Sequence, residues 1–219
     1  MKNVIYLFGP TLMIFIGLSY YESIPITFAL FYGWLFIIPF ASYLILPQPN
    51  KSLVQSFKKG LTSRNIWFGI VSGTICLIAI FCAVSVLQGR LFEVERISDV
   101  LVEWGFTGTQ MWGFILVLIF INPFLEEWYW REFMHVRLLP SLGRTKTVFV
   151  TSFFYSLYHL LSLIPLFAMP FSLIAAVPVF LIGLIWGYFR VSLSTITSSV
   201  ISHVLADVGI VFAYLYYLM

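Results

Sequence analysis

Six ionisable side chains in the second half of this chain have the residue types that acid–base chemistry requires: Glu126, Glu127, Arg131, His159, His203 and Asp207. A carboxylate and an imidazole that share a water molecule can remove its proton and deliver a proton to a leaving amine. A second imidazole can donate a hydrogen bond to the oxyanion of a tetrahedral intermediate. These residue types are therefore suited to hydrolysis by an activated water, with an amine as the leaving group.

The spacing of these residues indicates which of them are paired. Glu127 and Arg131 are four residues apart, so on a helix they lie on the same face and can form an ion pair. Glu126 is rotated by about 100° from its neighbour and has no obvious local partner. His203 and Asp207 are also four residues apart, so Asp207 is in a position to orient or charge-stabilise the imidazole.

The composition places these charges in a membrane protein. Of the 219 residues, 61% are apolar and 10% are charged, whereas soluble domains carry about 25% charged residues. Apolar runs long enough to cross a bilayer recur along the chain, and a spanning helix needs about 20 such residues. The sequence therefore predicts an all-α, polytopic membrane helix bundle that forms one domain over residues 1–219. The net charge of +3 is spread over short loops and does not indicate nucleic acid as a partner.

Seven membrane helices are predicted from the apolar runs and the turn residues between them. Their approximate ranges are 4–20, 26–46, 67–87, 111–138, 147–164, 172–190 and 194–217. Residues 88–109 are polar and of mixed charge, which predicts a long loop between the third and fourth helices. Pro140 and Gly143 are expected to end the fourth helix.

The distribution of charge between the loops predicts an orientation. Basic residues occur in the loops between helices two and three, four and five, and six and seven: Lys51, Lys58, Lys59, Arg64, Arg137, Arg144, Lys146 and Arg190. With seven helices these loops lie on one side, and the acidic residues of the 88–109 loop lie on the other. The positive-inside rule then places the N-terminus in the cytoplasm and the C-terminus outside.

The ionisable residues lie at similar predicted depths from the cytoplasmic face. With a rise of about 1.5 Å per residue, Glu126 is about 16 Å from Arg137, and His159 is about 20 Å from Lys146. The same rise puts His203 about 14 Å, and Asp207 about 20 Å, from residue 194. Glu132 and His135 fall nearer the cytoplasmic end, where we expect Glu132 to be solvated and His135 to be a packing residue.

Three short motifs occur in order on three of these helices. They are the E-E-x-x-x-R of residues 126–131, Tyr155-x-x-x-His159 and His203-x-x-x-Asp207. The ordered set resembles the CAAX-protease and bacteriocin-processing (CPBP/ABI) family of intramembrane endopeptidases, over roughly residues 111–208. This segment is thus a predicted catalytic core within the larger membrane domain, and the chain is predicted to be a multi-pass protein of the cell membrane.

The resemblance implies an enzyme that cleaves a membrane-associated peptide or protein. It implies that Glu126 activates water with His159 as its partner, that Glu127 and Arg131 support the site, and that His203 and Asp207 stabilise the oxyanion and fix the geometry. Two positions depart from the family pattern. Tyr155 stands where Phe is usual, and Asp207 stands where Asn is frequent. An Asp has no amide to donate, so a role in holding His203 is the better interpretation.

A metal site is an alternative to the metal-free mechanism, which we favour. Glu126, His159 and His203 could together hold one Zn²⁺ with an open position for water. The H-E-x-x-H pattern of many zinc proteases does not occur in the sequence.

Three other functions remain as alternatives. Ser156 and Ser199 are each within one helical turn of a histidine, which would suit a serine hydrolase, although serines in membrane helices commonly bond to their own backbone. Buried carboxylates and a helix break at Asn122-Pro123 also occur in proton-coupled transporters. The third alternative is a bacteriocin-immunity or scaffold protein without proteolytic activity.

Overall fold

The chain is an all-α polytopic membrane helix bundle. The computed structural model describes residues 2–45, 53–90 and 92–219, and within these ranges the chain forms no strand beyond an isolated bridge between Gln88 and Phe92. The α-helices are α1 (Lys2–Ile14), α2 (Ile24–Ile45), α3 (Leu53–Gly60), α4 (Ser63–Leu87), α5 (Val94–Glu103), α6 (Gly108–Phe120), α7 (Asn122–Glu127), α8 (His135–Leu163), α9 (Phe171–Leu193) and α10 (Thr197–Tyr217). Phe15–Tyr20 and Trp128–Met134 are π-helical. Residue 46 of the second predicted helix and Lys51 lie outside the described residues.

Six helical stretches of the described residues are long and apolar enough to cross a membrane. One of them, Gly108–Leu163, has 56 residues and would be about 84 Å long if straight, far more than the roughly 30 Å of hydrocarbon in a bilayer. Gly143 interrupts it with φ of +71°, a conformation that glycine adopts without steric cost. This stretch therefore contains both the fourth and the fifth predicted helices.

The predicted loop between the third and fourth membrane helices contains a helix of its own. The helix α5 has acidic and basic residues on one side, while Ile97 is buried and Val100 and Leu101 pack against the core. Trp104, which caps its C-terminal end, is also buried. The segment does connect the third and fourth membrane helices, but the prediction did not include this helix. A short amphipathic helix can lie on the bundle even though its composition is polar.

Helix α10 is held close to α4 by small residues. It packs most extensively against that helix, and a Cβ added at Gly73 would lie 2.9 Å from the Cα of Ser202. The Ser198 hydroxyl also donates a hydrogen bond of 2.8 Å to the carbonyl of Asn65. Small residues that allow helix backbones to approach closely are typical of membrane helix interfaces, and here they fix the helix that carries His203.

Several contacts bring the predicted cytoplasmic loops to one end of the bundle. The guanidinium of Arg137 lies over the Tyr6 ring of α1, 5.3 Å from its centroid. Arg190, at the end of α9, forms an ion pair of 3.1 Å with Glu132. The Thr197 hydroxyl at the start of α10 donates to the backbone carbonyl of Phe57. These contacts agree with the grouping of basic loops on one side, and the cytoplasmic assignment of that side stays a prediction.

Candidate active site

A break in the fourth predicted membrane helix sets the position of the two adjacent glutamates. Helix α6 ends at Phe120, and α7 begins at Asn122 with Pro123 in its first turn. Proline has no backbone N–H and disrupts the preceding turn. Glu126 and Glu127 follow within one turn of the break, and both side chains are buried. The chain then becomes π-helical over Trp128–Met134, a local widening that is frequent at functional sites.

Glu127 and Arg131 form the predicted ion pair in the interior of the bundle. The distance from Arg131 Nη1 to Glu127 Oε1 is 3.2 Å, and the side chains are 1% and 0% exposed. Arg131 also donates from Nη2 to the carbonyl of Gly183 on α9. Its guanidinium lies 4.5 Å from the centroid of the Tyr155 ring and 5.4 Å from that of Trp186. The arginine therefore ties three helical segments together around Glu127.

The His203 imidazole lies among three carboxyl groups. Its Nδ1 is 3.2 Å from Glu127 Oε1, a distance suited to an N–H that donates to the carboxylate. Its Nε2 is 3.8 Å from Glu126 Oε2 and 3.7 Å from Asp207 Oδ1. The ring stacks on Trp186, with centroids 4.3 Å apart and 23° between the planes. Three carboxyl groups and one guanidinium leave an excess of negative charge, which a doubly protonated imidazole would partly balance.

Asp207 has a second partner that the sequence reading did not identify. The Asn122 amide donates from Nδ2 to Asp207 Oδ2 at 3.0 Å, and both side chains are buried. The other oxygen of Asp207 faces His203. The interpretation of Asp207 as a residue that holds His203 fits this arrangement.

His159 lies beside the carboxyl cluster and not within it. Its Nδ1 is 2.8 Å from the carbonyl of Tyr155. A carbonyl can only accept, so Nδ1 carries the proton in this bond and Nε2 is free to accept one. The ring packs against those of Tyr155 and Tyr158, with centroid distances of 4.6 and 4.5 Å. Within the described residues His159 forms no ion pair with Glu126, whereas the adjacent Tyr158 side chain interacts with Glu126.

Several buried polar atoms of the site have no hydrogen-bond partner among the described protein atoms: Glu126 Oε2, Glu127 Oε2, Arg131 Nε and Nη1, and the hydroxyl oxygen of Tyr158. Of these groups, Glu126 and Tyr158 interact electrostatically with each other. Buried polar groups in folded proteins are nearly always hydrogen-bonded to protein or to water. A carboxylate oxygen and a hydroxyl that face each other in this way are suited to bind a water molecule or a polar group of a substrate.

The described residues do not form a metal-binding group in this arrangement. No cluster of three or more His, Cys, Asp and Glu side chains in the described ranges is placed to hold a metal ion. Of the three candidate zinc ligands, Glu126 and His203 are close together, whereas the described contacts of His159 are with the Tyr155 carbonyl and the rings of Tyr155 and Tyr158. A zinc ion with all three ligands would require His159 to move towards the other two.

Two further residues near the predicted cytoplasmic end differ in their outcome. Glu132, expected to be solvated, is instead mostly buried and pairs with Arg190, with side-chain exposures of 12% and 16%. Helix periodicity does not predict this pair because its members are on different helices. His135 is buried, as expected of a packing residue, and its Nδ1 has no hydrogen-bond partner among the described atoms.

The serines near the two histidines are bonded to their own helices. The Ser156 hydroxyl donates to the carbonyl of Phe153, and the Ser199 hydroxyl donates to that of Ile196. Neither hydroxyl is bonded to a histidine, which is the contact that a serine nucleophile requires. The site geometry therefore gives no support to the serine-hydrolase alternative.

Comparison with known protein families gives a match over the part of the chain that contains this site. Residues 108–209 match the family described as "Type II CAAX prenyl endopeptidase Rce1-like". These residues belong to the CAAX-protease family. The match includes all three motifs and agrees closely with the predicted range of 111–208. No curated protein and no solved structure was found to match the chain. The CAAX-protease assignment supports a function of that kind, peptide hydrolysis by a membrane-embedded enzyme.

Proposed function

We propose that this CAAX-protease family member is an intramembrane endopeptidase that hydrolyses a peptide bond of a membrane-associated peptide or protein, with Glu126 as the residue that activates water. The observation that carries the proposal is the environment of the Glu126 carboxylate. It is 2% exposed, its Oε2 has no hydrogen-bond partner among the described protein atoms, and His203 Nε2 is 3.8 Å away. Glu127 also has one unpartnered oxygen, but its other oxygen lies 3.2 Å from both Arg131 Nη1 and His203 Nδ1. Among the described residues Glu126 has no charged partner closer than 3.8 Å, so its carboxylate is the one left available for water.

In the proposed reaction Glu126 is the general base. Its carboxylate takes one proton from water while the water oxygen bonds to the carbonyl carbon of the scissile peptide. The C=O π bond opens and the carbonyl oxygen becomes an oxyanion. The intermediate then collapses, the C–N bond breaks, and the leaving nitrogen receives the proton. Glu126 returns to its carboxylate form and the second water proton stays with the new carboxyl group.

The two histidines have different proposed roles. His203 Nε2 lies near Glu126, while Nδ1 donates to Glu127. In the doubly protonated form, which the surrounding carboxylates favour, Nε2 also carries a proton and can donate it to the oxyanion. His159 presents Nε2 as a proton acceptor because its Nδ1 is bonded to a carbonyl. We propose that it assists Glu126 in moving the proton from water to the amine. The Glu127–Arg131 pair and Asp207 hold the His203 ring in place.

A direct test compares the wild-type protein with Glu126→Gln in detergent. The probe is an internally quenched, farnesylated peptide that ends in a CAAX tetrapeptide, assayed beside its unprenylated form. We expect the substitution to lower kcat by about 10²-fold or more, the usual scale for loss of a general base. Glu95→Gln, which changes an exposed carboxylate on α5, serves as the control and should leave cleavage unchanged. Equal cleavage by wild type and Glu126→Gln would disprove the mechanism.

The same preparation separates the alternatives. A wild-type protein that cleaves neither peptide, but supports proton or solute flux dependent on Glu126 when reconstituted in vesicles, would be a transporter. A protein with neither activity would fit the immunity or scaffold alternative. Preference for the farnesylated probe would place the substrate among prenylated proteins, whereas equal cleavage of both forms would indicate recognition of the peptide alone.

We propose that the mechanism does not use a metal ion. If Zn²⁺ were bound by Glu126, His159 and His203, it would act as a Lewis acid and would lower the pKa of a bound water molecule. Activity that survives dialysis against EDTA and 1,10-phenanthroline would support the metal-free form. Activity lost on chelation and restored by added Zn²⁺ would require the metal form instead.

A further inference from the structure

The amide of Asn122 makes a directional contact with the third motif. Asn122 is the first residue of α7, 85 positions before Asp207 in the chain, and the two side chains are 5% and 4% exposed. An ionised carboxylate only accepts hydrogen bonds, so Asn122 must present its NH₂ group to Asp207 Oδ2. This contact fixes one end of the Asp207 carboxylate.

The other end of the carboxylate faces the imidazole. Asp207 Oδ1 is 3.7 Å from Nε2 of His203, the ring nitrogen that also faces Glu126. The χ2 torsion of an aspartate is broad and roughly two-fold, so its own rotamer preference does not hold the carboxylate plane. The bond from Asn122 supplies that constraint, because it is the only hydrogen bond of the Asp207 side chain among the described residues.

We propose that Asn122 is a positioning residue of the catalytic site. It orients Asp207, and through Asp207 it holds His203 with Nε2 directed at the space beside Glu126. The inference rests on the proposed proteolytic function. The proposal also explains why an aspartate can stand at position 207. Its carboxylate accepts a hydrogen bond from the amide of Asn122, and Asn122 is placed there by the helix break at which α7 begins.

Exchanging the residue types of Asn122 and Asp207 tests the proposal. Asn122→Asp places two carboxylates against each other, and we expect kcat for the farnesylated CAAX peptide to fall at least 30-fold with KM within twofold of wild type. Adding Asp207→Asn to this variant restores one amide and one carboxylate. We expect the double variant to be at least tenfold more active than Asn122→Asp alone. Asn122→Leu removes the donor, and Asp207→Asn should not rescue it.

A matched control removes another buried amide. Asn65 is buried on α4 and donates to the carbonyl of Gly60, away from the carboxyl cluster. Asn65→Leu should lower the melting temperature in detergent but leave kcat within twofold of wild type. A purely structural Asn122 would behave in the same way, so wild-type kcat in Asn122→Leu, or a double variant no more active than Asn122→Asp, would overturn the proposal.

A measurement without substrate separates this proposal from the proposed function. The melting temperature of Asn122→Asp should fall by about 4 °C or more, and Asp207→Asn in the same chain should recover at least half of the loss, on the scale usual for a chain of this size. If the wild type cleaves neither peptide, the proteolytic function fails. The Asn122–Asp207 contact would then be tested by the melting temperature alone. If Asp207→Asn recovered none of the loss caused by Asn122→Asp, the contact itself would be refuted.

Discussion

Arg131 is the residue whose removal should destabilise the fold most among the charged groups of the site. It is 1% exposed and pairs with a Glu127 that is 0% exposed. Arg131→Met keeps much of the side-chain volume but leaves the Glu127 carboxylate in the interior with His203 as its remaining charged partner. Removal of one partner from a buried ion pair costs about 3–5 kcal/mol, mostly because the other charge is left uncompensated.

Smaller contributions from Arg131 add to this cost. The guanidinium lies over the Tyr155 ring, an interaction worth about 1–2 kcal/mol when it is shielded from water. It also donates to the Gly183 carbonyl, and a buried acceptor left without a donor costs about 1–3 kcal/mol. These terms are not independent. We therefore expect a total loss of about 4–6 kcal/mol, with the uncompensated carboxylate as the largest part.

A double variant separates the charge from the packing. Glu127→Gln removes the charge that Arg131 neutralises, so Glu127→Gln/Arg131→Met should be more stable than Arg131→Met alone by about 2 kcal/mol or more. The measurement is the free energy of unfolding by SDS titration in mixed micelles, followed by tryptophan fluorescence. The reasoning would be refuted if Arg131→Met lost less than about 1 kcal/mol, or if the second substitution added a further loss to it.

Three other changes test different parts of the structure. Tyr158→Phe should lower kcat by about tenfold through loss of one hydroxyl at Glu126, with an unchanged melting temperature because that hydroxyl bonds to no described protein atom; a wild-type kcat would count against its role. Arg190→Met should cost about 1 kcal/mol, less than Arg131→Met, since its ion pair is partly exposed to solvent; an equal loss in unfolding experiments would contradict this. Ser156→Ala and Ser199→Ala should both keep full peptidase activity, whereas loss of activity in either would revive the serine mechanism.

Local contacts of the site could be predicted from the sequence. The pairs Glu127–Arg131 and His203–Asp207 follow from a separation of four residues on one helix, and both are close in space. Helix periodicity alone determines such neighbours. The grouping of basic loops at one end of the bundle is equally a property that can be read from the positions of charges along the chain.

Contacts between helices could not be predicted in the same way. The rise of about 1.5 Å per residue gives the depth of a side chain in the membrane, but not its direction about the helix axis. Pro123 and the π-helical segment at Trp128–Met134 change that direction. For this reason the contact of Asn122 with Asp207 was missed, and His159 packs against Tyr155 and Tyr158 instead of pairing with Glu126, although the two were predicted at similar depth.

The charge balance of the site distinguishes its carboxylates. Glu127 is compensated by Arg131 and by His203 Nδ1, and Asp207 by Asn122. Glu126 has only the more distant His203 Nε2, so it holds the excess negative charge that the bundle buries. Burial of such a charge is costly, and residues of this kind persist where activity requires them. Glu126→Gln should therefore raise the free energy of unfolding while it lowers kcat by about 10²-fold or more. Glu127→Gln should lower the free energy of unfolding in the same SDS titration, because Arg131 would lose its counter-ion.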